Sequence, residues 1–323
     1  MLRFVVRRLL WFIPTIVFIT FIVYIALRIG FSPLNTYLRA NPRASEAKIK
    51  QYIEVNGLYP GWGGYFRGYF HWLWLFIQGP DQWSRSIKGS ARVWPPLRYA
   101  IFNTLRLAGI AAVAGIGIGL TLGVLAARKP GAAFDTMVNS GAFFLGAVPP
   151  FVSGVALQLL FAVKLGWLPV GGVYPPGHDG FNLVLMIKYL ILPVAVVAIQ
   201  TISGYSRYMR ASLLDVSSSD YLRTARAKGL SESAVLIRHG VRNALIPVVT
   251  LVAIDIGGLL GGLIITENIF NYPGMGVYFL KAVNDGDFSR LLPYMVIVVA
   301  SVLIFNLIAD LLYAYLDPRI RLD

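Results

Sequence analysis

Between Leu9 and Leu27 the chain runs for nineteen residues without a charge, behind Arg3, Arg7 and Arg8. A hydrocarbon core of about 30 Å takes about 20 apolar helical residues. A backbone that crosses it must satisfy its own hydrogen bonds, as a helix or a closed barrel. A secretory h-region is only about 7–15 residues long, so this run reads as a retained first span. Apolar runs of similar length recur at Leu107–Ala127, Thr136–Val163, Tyr189–Tyr205, Ala244–Thr266 and Leu291–Ala309. Pro149-Pro150 interrupts the third, which predicts a broken or kinked helix. Asp255 is the one charge in the fifth. The pattern predicts an all-α, polytopic membrane protein with six transmembrane helices.

Composition agrees. The chain is 57% hydrophobic and 14% charged, with mean hydropathy +0.66; soluble domains are about 45–50% apolar and about 25% charged. That excludes a soluble, disordered or collagen-like chain. The net charge of +14 fits loops facing anionic lipid and a cytoplasmic positive bias better than it fits nucleic acid. With the N-terminus inside, segments 1–8, 128–135, 206–243 and 310–323 hold fourteen Lys and Arg residues. The short outer connections hold only Lys164, Lys188, Lys281 and Arg290. Both termini are therefore expected on the cytoplasmic side. There are no cysteines, which excludes disulfides and thiol chemistry, and the three histidines, His71, His178 and His239, are far apart. No metal site, no catalytic residue and no bound cofactor is expected: phosphate-loop, G-x-S-x-G, H-E-x-x-H and EF-hand patterns are all absent.

The chain divides into an N-terminus and first span (1–29), an aromatic-rich outer segment (30–98), a membrane core (99–317) with an inner loop at 206–243, and a tail (318–323). In the outer segment Tyr65, Phe66, Tyr69, Phe70, Leu73, Trp74 and Ile77 recur at helical spacing, near Trp62, Trp72, Trp83 and Trp94. The expectation is an interfacial helix in the aromatic belt; the functional alternative is a platform for a binding protein or a lid over an outer gate.

The inner loop is more informative. Asp220 to Lys228 reads as a short helix with an acid at its start, a cation in its last turn and Gly229 as its terminator. Ser231 then caps a second helix. On a regular helical wheel Val235, Arg238, His239, Arg242 and Asn243 share one face, and Ala234, Leu236, Ile237, Gly240, Val241, Ala244 and Leu245 form the other. Such an amphipathic helix–turn–helix either lies on anionic headgroups or docks on a partner.

Tyr221-Leu-Arg-Thr-Ala-Arg-Ala-Lys-Gly229, with His239 and Arg242-Asn-Ala-Leu245 behind it, resembles the EAA loop of ABC importer permeases. The variant is that of the dipeptide/oligopeptide/nickel branch, with Arg-Thr-Ala where the general motif has Glu-Ala-Ala. Four further stretches agree in order: Leu2-Arg-Phe-Val-Val-Arg-Arg-Leu-Leu10, Gly166-Trp-Leu-Pro169, Glu267-Asn-Ile-Phe-Asn-Tyr-Pro-Gly-Met-Gly276 and Asp310-Leu-Leu-Tyr-Ala-Tyr-Leu-Asp-Pro-Arg-Ile-Arg321. A departure is Gly30-Phe-Ser-Pro33, where the family often has Pro-Gly-Asp-Pro. The resemblance implies a type I ABC importer permease fold in a prokaryotic inner membrane. It also implies two ATPase subunits that bind ATP and Mg, a second permease, homologous and different, and an extracytoplasmic binding protein that delivers the solute. The EAA loop then rests in a cleft on the ATPase, a role that falls on Arg223, Thr224, Ala225, Arg226, Lys228, Gly229, His239 and Arg242. Di- or oligopeptides are the expected cargo; nickel, glutathione and oligosaccharides are carried by the same permease type.

Asp255 is an acid at mid-depth of a span, where stranding in lipid is expensive. It either lines the translocation path, meeting an amine or cation, or makes a structural contact. Glu267 and Asn271 are outer-gate candidates. Asn306 and Asp310 are expected to hold the inner end of the last span against Arg207 or Arg210. An ion-coupled secondary transporter is the main rival reading, and it predicts midplane ion ligands and an internal repeat. A non-transporting scaffold or enzyme is the other; it predicts a cluster of catalytic groups.

Overall fold

The computed structural model describes residues 2–87, 91–178 and 180–316. The tail expected at 318–323 lies outside the described residues. Helices α1 (Leu2–Phe31), α2 (Pro33–Ala40), α3 (Glu46–Asn56), α4 (Gly61–Ile77), α5 (Trp94–Ala127), α6 (Ala133–Ala147), α7 (Pro150–Leu157) and α8 (Leu183–Ser217) come first. They are followed by α9 (Asp220–Ala227), α10 (Glu232–Ala234), α11 (Arg242–Gly262), α12 (Ile264–Ile269), α13 (Met275–Asn284) and α14 (Phe288–Leu316). Two π-helical stretches, Gln158–Lys164 and Val235–Val241, extend α7 and α10. No strand occurs among the described residues.

Among the described residues, five helices are long and apolar enough to cross a bilayer. The expected third span is two half-helices, α6 and α7 with its π extension, bent by 97°; taken as one crossing it is the sixth. The bend has a local cause. A residue before proline is pushed out of the helical region. Val148 and Pro149 both precede a proline, and they have ψ of 122° and 142°. Several boundaries also shift: α5 starts at Trp94 rather than Leu107, and α8 spans 35 residues. At 1.5 Å per residue α8 is about 50 Å long, more than the bilayer core needs. The expected fifth span stops at Gly262, and α12 is a separate short helix.

The chain forms two compact units. One comprises Met1–Asn103 and Pro273–Leu303. Its core is aromatic: Tyr24, Tyr69, Trp72 and Phe288 are buried together with Leu291 and Leu292. The Tyr24 ring meets Tyr69 and Phe288 edge-on, at 5.6 and 5.5 Å between centroids. The Tyr69 hydroxyl donates to Val17 O (2.8 Å) and that of Tyr24 to Gly57 O (2.9 Å). Arg28 donates to Tyr59 O and Gly64 O and lies over the Tyr65 ring. Part of the 30–98 segment is thus folded onto α1, and α4 has two aromatic faces. Tyr69 and Trp72 point in, while Trp62, Phe66, Phe70, Trp74 and Ile77 are exposed. Buried Asp287 caps α14 by accepting from Arg290 N–H, and ties Ser86 and Ile87 to it (2.5 and 3.2 Å). Burial pushes its carboxyl above the usual carboxylate range, against the pull of those donors and Arg290.

The other unit comprises Thr104–Tyr272 and Ile304–Asp323. Its helices meet through a glycine seam. Gly115, Gly119 and Gly123 recur every four residues on α5 and face α8. A Cβ on Gly123 would stand 2.5 Å from Ser206 O, and one on Gly115 2.7 Å from Thr201 Cβ. Small residues at this spacing let membrane helices approach closely, which is their chief source of affinity in lipid. Around the seam Leu107, Leu190, Val196, Phe270 and Tyr272 form one cluster, and Tyr205, Met209, Leu213, Leu236, Ala244 and Val248 another. Gly123→Ala forces backbone apart at the seam, so it is expected to cost about 1–3 kcal/mol. Thermal unfolding of the detergent-purified permease measures this; an unchanged midpoint would contradict the close approach.

Candidate functional site

The helix–turn–helix is present as expected. α9 ends at Ala227 with Lys228 as its C-cap, and Gly229 turns with φ +79° in the left-handed region that glycine adopts without cost. Ser231 Oγ accepts from Ala234 N–H (3.4 Å). The Arg226 guanidinium meets Glu232 at 2.9 Å across the turn. Arg223, Thr224, Lys228 and Gly229 are exposed. Ala225 is turned inward, packed with Leu222 and Val235.

The second helix departs from the regular wheel. Val235, expected on the charged face, is fully buried, and Ile237, expected on the apolar face, is 57% exposed. The reason is the π geometry of Val235–Val241. Bonds from i to i+5 wind more residues into each turn, so an assignment at about 100° per residue drifts out of phase. The inward residues become Val235, Leu236, Gly240 and Ala244. Arg238, Arg242 and Asn243 stay exposed, and His239 is half-buried. With Tyr221, Leu230 and Ile237 also exposed, the loop presents apolar side chains among cations.

Asp255 sits on α11 and accepts a hydrogen bond from the Tyr205 hydroxyl of α8 at 2.7 Å. Its exposed side chain opens into a cavity of about 400 Å³, whose polar lining is completed by Gln200, Thr201 and Thr266. Pro150, at the break in the third span, lines the same cavity. Gln200 Nε2 donates to Val148 O at 2.8 Å and to Leu145 O at 3.4 Å, satisfying carbonyls that the break releases. The side-chain surroundings of the glycines at 257, 258, 261 and 262, expected to permit close helix approach, lie outside the described residues.

Glu267 and Asn271 do not join this cavity. Glu267 is fully buried in α12, where Thr104 Oγ1 donates to it at 2.5 Å. Asn271 is exposed in a turn with φ +43°, a conformation asparagine tolerates. Arg210 is not available to Asp310 as expected. Its guanidinium forks onto Asp135, at 2.5 and 2.7 Å. Arg207 donates to Ser203 O. Asp135 is buried, and also accepts from Gly131 N–H and Asn139 Nδ2. It lies one residue outside the uncharged run Thr136–Val163, so the span pattern alone does not single it out. Its signal was an acid in the first turn of α6, directly after the Arg128-Lys-Pro-Gly131 turn. No group of three or more metal-ligating side chains occurs among the described residues.

The family model for binding-protein-dependent transport system inner membrane components matches residues 119–322, which include α8 to α11 and both Asp135 and Asp255. The chain belongs to that family. Relatives match along their full length. The oligopeptide transport system permease protein AppB of Bacillus subtilis (strain 168) is 35% identical over 321 residues, 99% of this chain and 100% of AppB. The corresponding OppB of Haemophilus influenzae is 33% identical over 321 residues, covering 99% and 100%. The dipeptide transport system permease protein DppB of Escherichia coli K12 is 31% identical over 343 residues, covering 99% of each. A chain of the inward-facing MetNI methionine ABC transporter has a TM-score of 0.57 at 16% identity, covering 70% of this chain and 98% of that one; it supports the fold. This protein is thus an ABC importer permease, an inner membrane component with apolar spanning helices.

Two outcomes are expected. Val235→Asp unfolds the inner helix pair, detected as increased protease cleavage between 219 and 242, while Ile237→Asp leaves cleavage unchanged; the reverse order would restore the regular wheel. Arg210→Gln strands a buried carboxylate at a cost of about 3–5 kcal/mol. Asp135→Asn in the same chain recovers part of that loss in a thermal melt.

Proposed function

We propose that this permease forms half of the translocation pathway of an ATP-driven importer for di- or oligopeptides. The observation that carries the coupling role is the exposed turn at Gly229. Arg223, Thr224, Arg226 and Lys228 stand before it on a short helix backed by Ala225, and α10 follows it. His239 and Arg242 lie further along the second helix. On this reading two ATPase subunits bind ATP and Mg and receive the loop in a cleft, while this chain holds no cofactor. A second permease, homologous and different, completes the pathway, and an extracytoplasmic binding protein delivers the solute. The membrane is the cytoplasmic membrane of a prokaryote, with both termini inside, as the basic residues at the helix ends support.

The peptide assignment is supported by the relatives, whose names are those of oligopeptide and dipeptide permeases over their whole length. Asp255 fits it chemically: a carboxylate held by Tyr205 beside a cavity suits a peptide's ammonium group. Glu267 and Asn271 shape the turn at an outer gate.

Gentle-detergent purification followed by mass spectrometry is expected to recover a second permease and ATPase chains; recovery of this chain alone after cross-linking would refute the importer assembly. Gly229→Trp is expected to abolish ATP-dependent peptide uptake with membrane insertion intact, and normal uptake would sink the coupling role. Asp255→Asn removes a charge-assisted contact of about 1.5–3 kcal/mol. Uptake of peptides with a free amino terminus should fall at least about tenfold, with N-acetylated peptides little changed.

A further inference from the structure

A second cavity, of about 560 Å³, lies where α5 ends and α6 begins. Leu125, Phe134 and Leu236 supply apolar walls, and Arg128 and Lys129 supply cations. Two acids also line it, Asp135 and Glu232, yet both are already neutralised. Asp135 carries the Arg210 fork on both oxygens, and Glu232 is paired with Arg226. The charge left to attract a ligand is therefore positive. Arg128 uses one nitrogen to donate to Ser233 Oγ (3.1 Å) and is otherwise exposed, as Lys129 is. Leu125 and Phe134 of the lining are exposed, and so is Met137, three residues beyond Phe134 on α6, so apolar surface continues from the cavity along the two helices.

We propose that this cavity holds the phosphate headgroup of an anionic phospholipid, with Arg128 and Lys129 on the phosphate and the acyl chains along Leu125, Phe134 and Met137. Basic pockets between membrane helices at the bilayer edge select such lipids. A water-soluble anion would satisfy the cations and leave the apolar walls wet, so the lipid form fits both halves of the lining. Ser233 and Glu232 open the second helix of the inner loop, and a headgroup seated here braces the 128–131 turn against it. Lipid binding stands independently of the coupling role; an effect of lipid on uptake rests on it.

The test is native mass spectrometry on the complex purified in gentle detergent, with chain-matched phosphatidylglycerol and phosphatidylcholine added. The expected result is selective retention of phosphatidylglycerol. Each basic residue near a lipid surface contributes about fivefold, so Arg128→Gln with Lys129→Gln should weaken retention roughly thirtyfold. Arg128→Lys with Lys129→Arg should keep it, and millimolar inorganic phosphate should not displace it. Equal retention of both lipids, or retention unchanged in the glutamine variant, overturns the site. Displacement by inorganic phosphate overturns the lipid assignment in favour of a free anion. If Gly229→Trp transports normally while phosphatidylglycerol stays bound, the coupling role fails and the lipid site stands.

Discussion

The close approach of α5 and α8 is the contact on which the functional geometry depends. In lipid, apolar side chains gain nothing by leaving the bilayer for one another, so helix association rests on packing and on hydrogen bonds. Gly115, Gly119 and Gly123 supply the packing. With α8 fixed against that seam, its other faces become a set of positioned polar groups. Gln200 reaches the carbonyls at the break in the third span, and Tyr205 reaches Asp255. Arg210 reaches Asp135, and Ser212 donates to Ala244 O on α11 at 2.8 Å. One helix thus holds the broken span, the acid and the start of α11 in register.

The break itself follows the same logic. A kinked helix at membrane depth exposes carbonyls that must find donors, since water is absent. Gln200 supplies one donor. Gln158, in the π stretch after α7, serves two other carbonyls, Val170 O and Ile269 O, at 2.7 and 3.2 Å. Both are uncharged amides, which serve backbone carbonyls without the desolvation cost of an ion. Pro150, the first residue of α7, and Asp255 line the cavity of about 400 Å³ together, so a rotation of α7 changes the space beside the carboxylate.

Much of this was legible in the sequence, for physical reasons that differ by element. The spans were readable because hydrophobic length is a one-dimensional property, and the break was readable because Pro149-Pro150 acts locally. Gly229 and Ser231 were readable as turn and cap from residue chemistry alone. The glycine spacing on α5 was visible in the letters, yet its meaning needed the partner helix. Val235 and Ile237 were misassigned because a π stretch changes the period, and no local residue preference announces it. The burial of Tyr69 and Trp72 depends on what α4 packs against, and an aromatic stripe suits a lipid interface and an aromatic core equally. Asp135 has a local signal as an acid in a first turn, but its partner, Arg210, lies 75 residues away, so spacing along the chain does not pair them.

The inner loop also has a mechanical consequence. α9 follows α8 after only Ser218-Ser219, and the π stretch runs directly into α11, so both arms of the loop are continuations of spanning helices. Within the loop, the exposed Arg223–Asp220 pair at 3.7 Å contributes little. The buried trio of Leu222, Ala225 and Val235 holds the two arms as one body. On the coupling reading, a load at Gly229 is therefore delivered to α8 and α11 together. Tyr205 stands twelve residues before the end of α8, and Asp255 thirteen after the start of α11. At 1.5 Å per residue Tyr205 is about 18 Å from the end of α8 and Asp255 about 20 Å from the start of α11, and they meet there in a single hydrogen bond. On the coupling reading, that bond joins the two levers at matching depth, so it is made or broken by their relative rotation rather than by a shift they share.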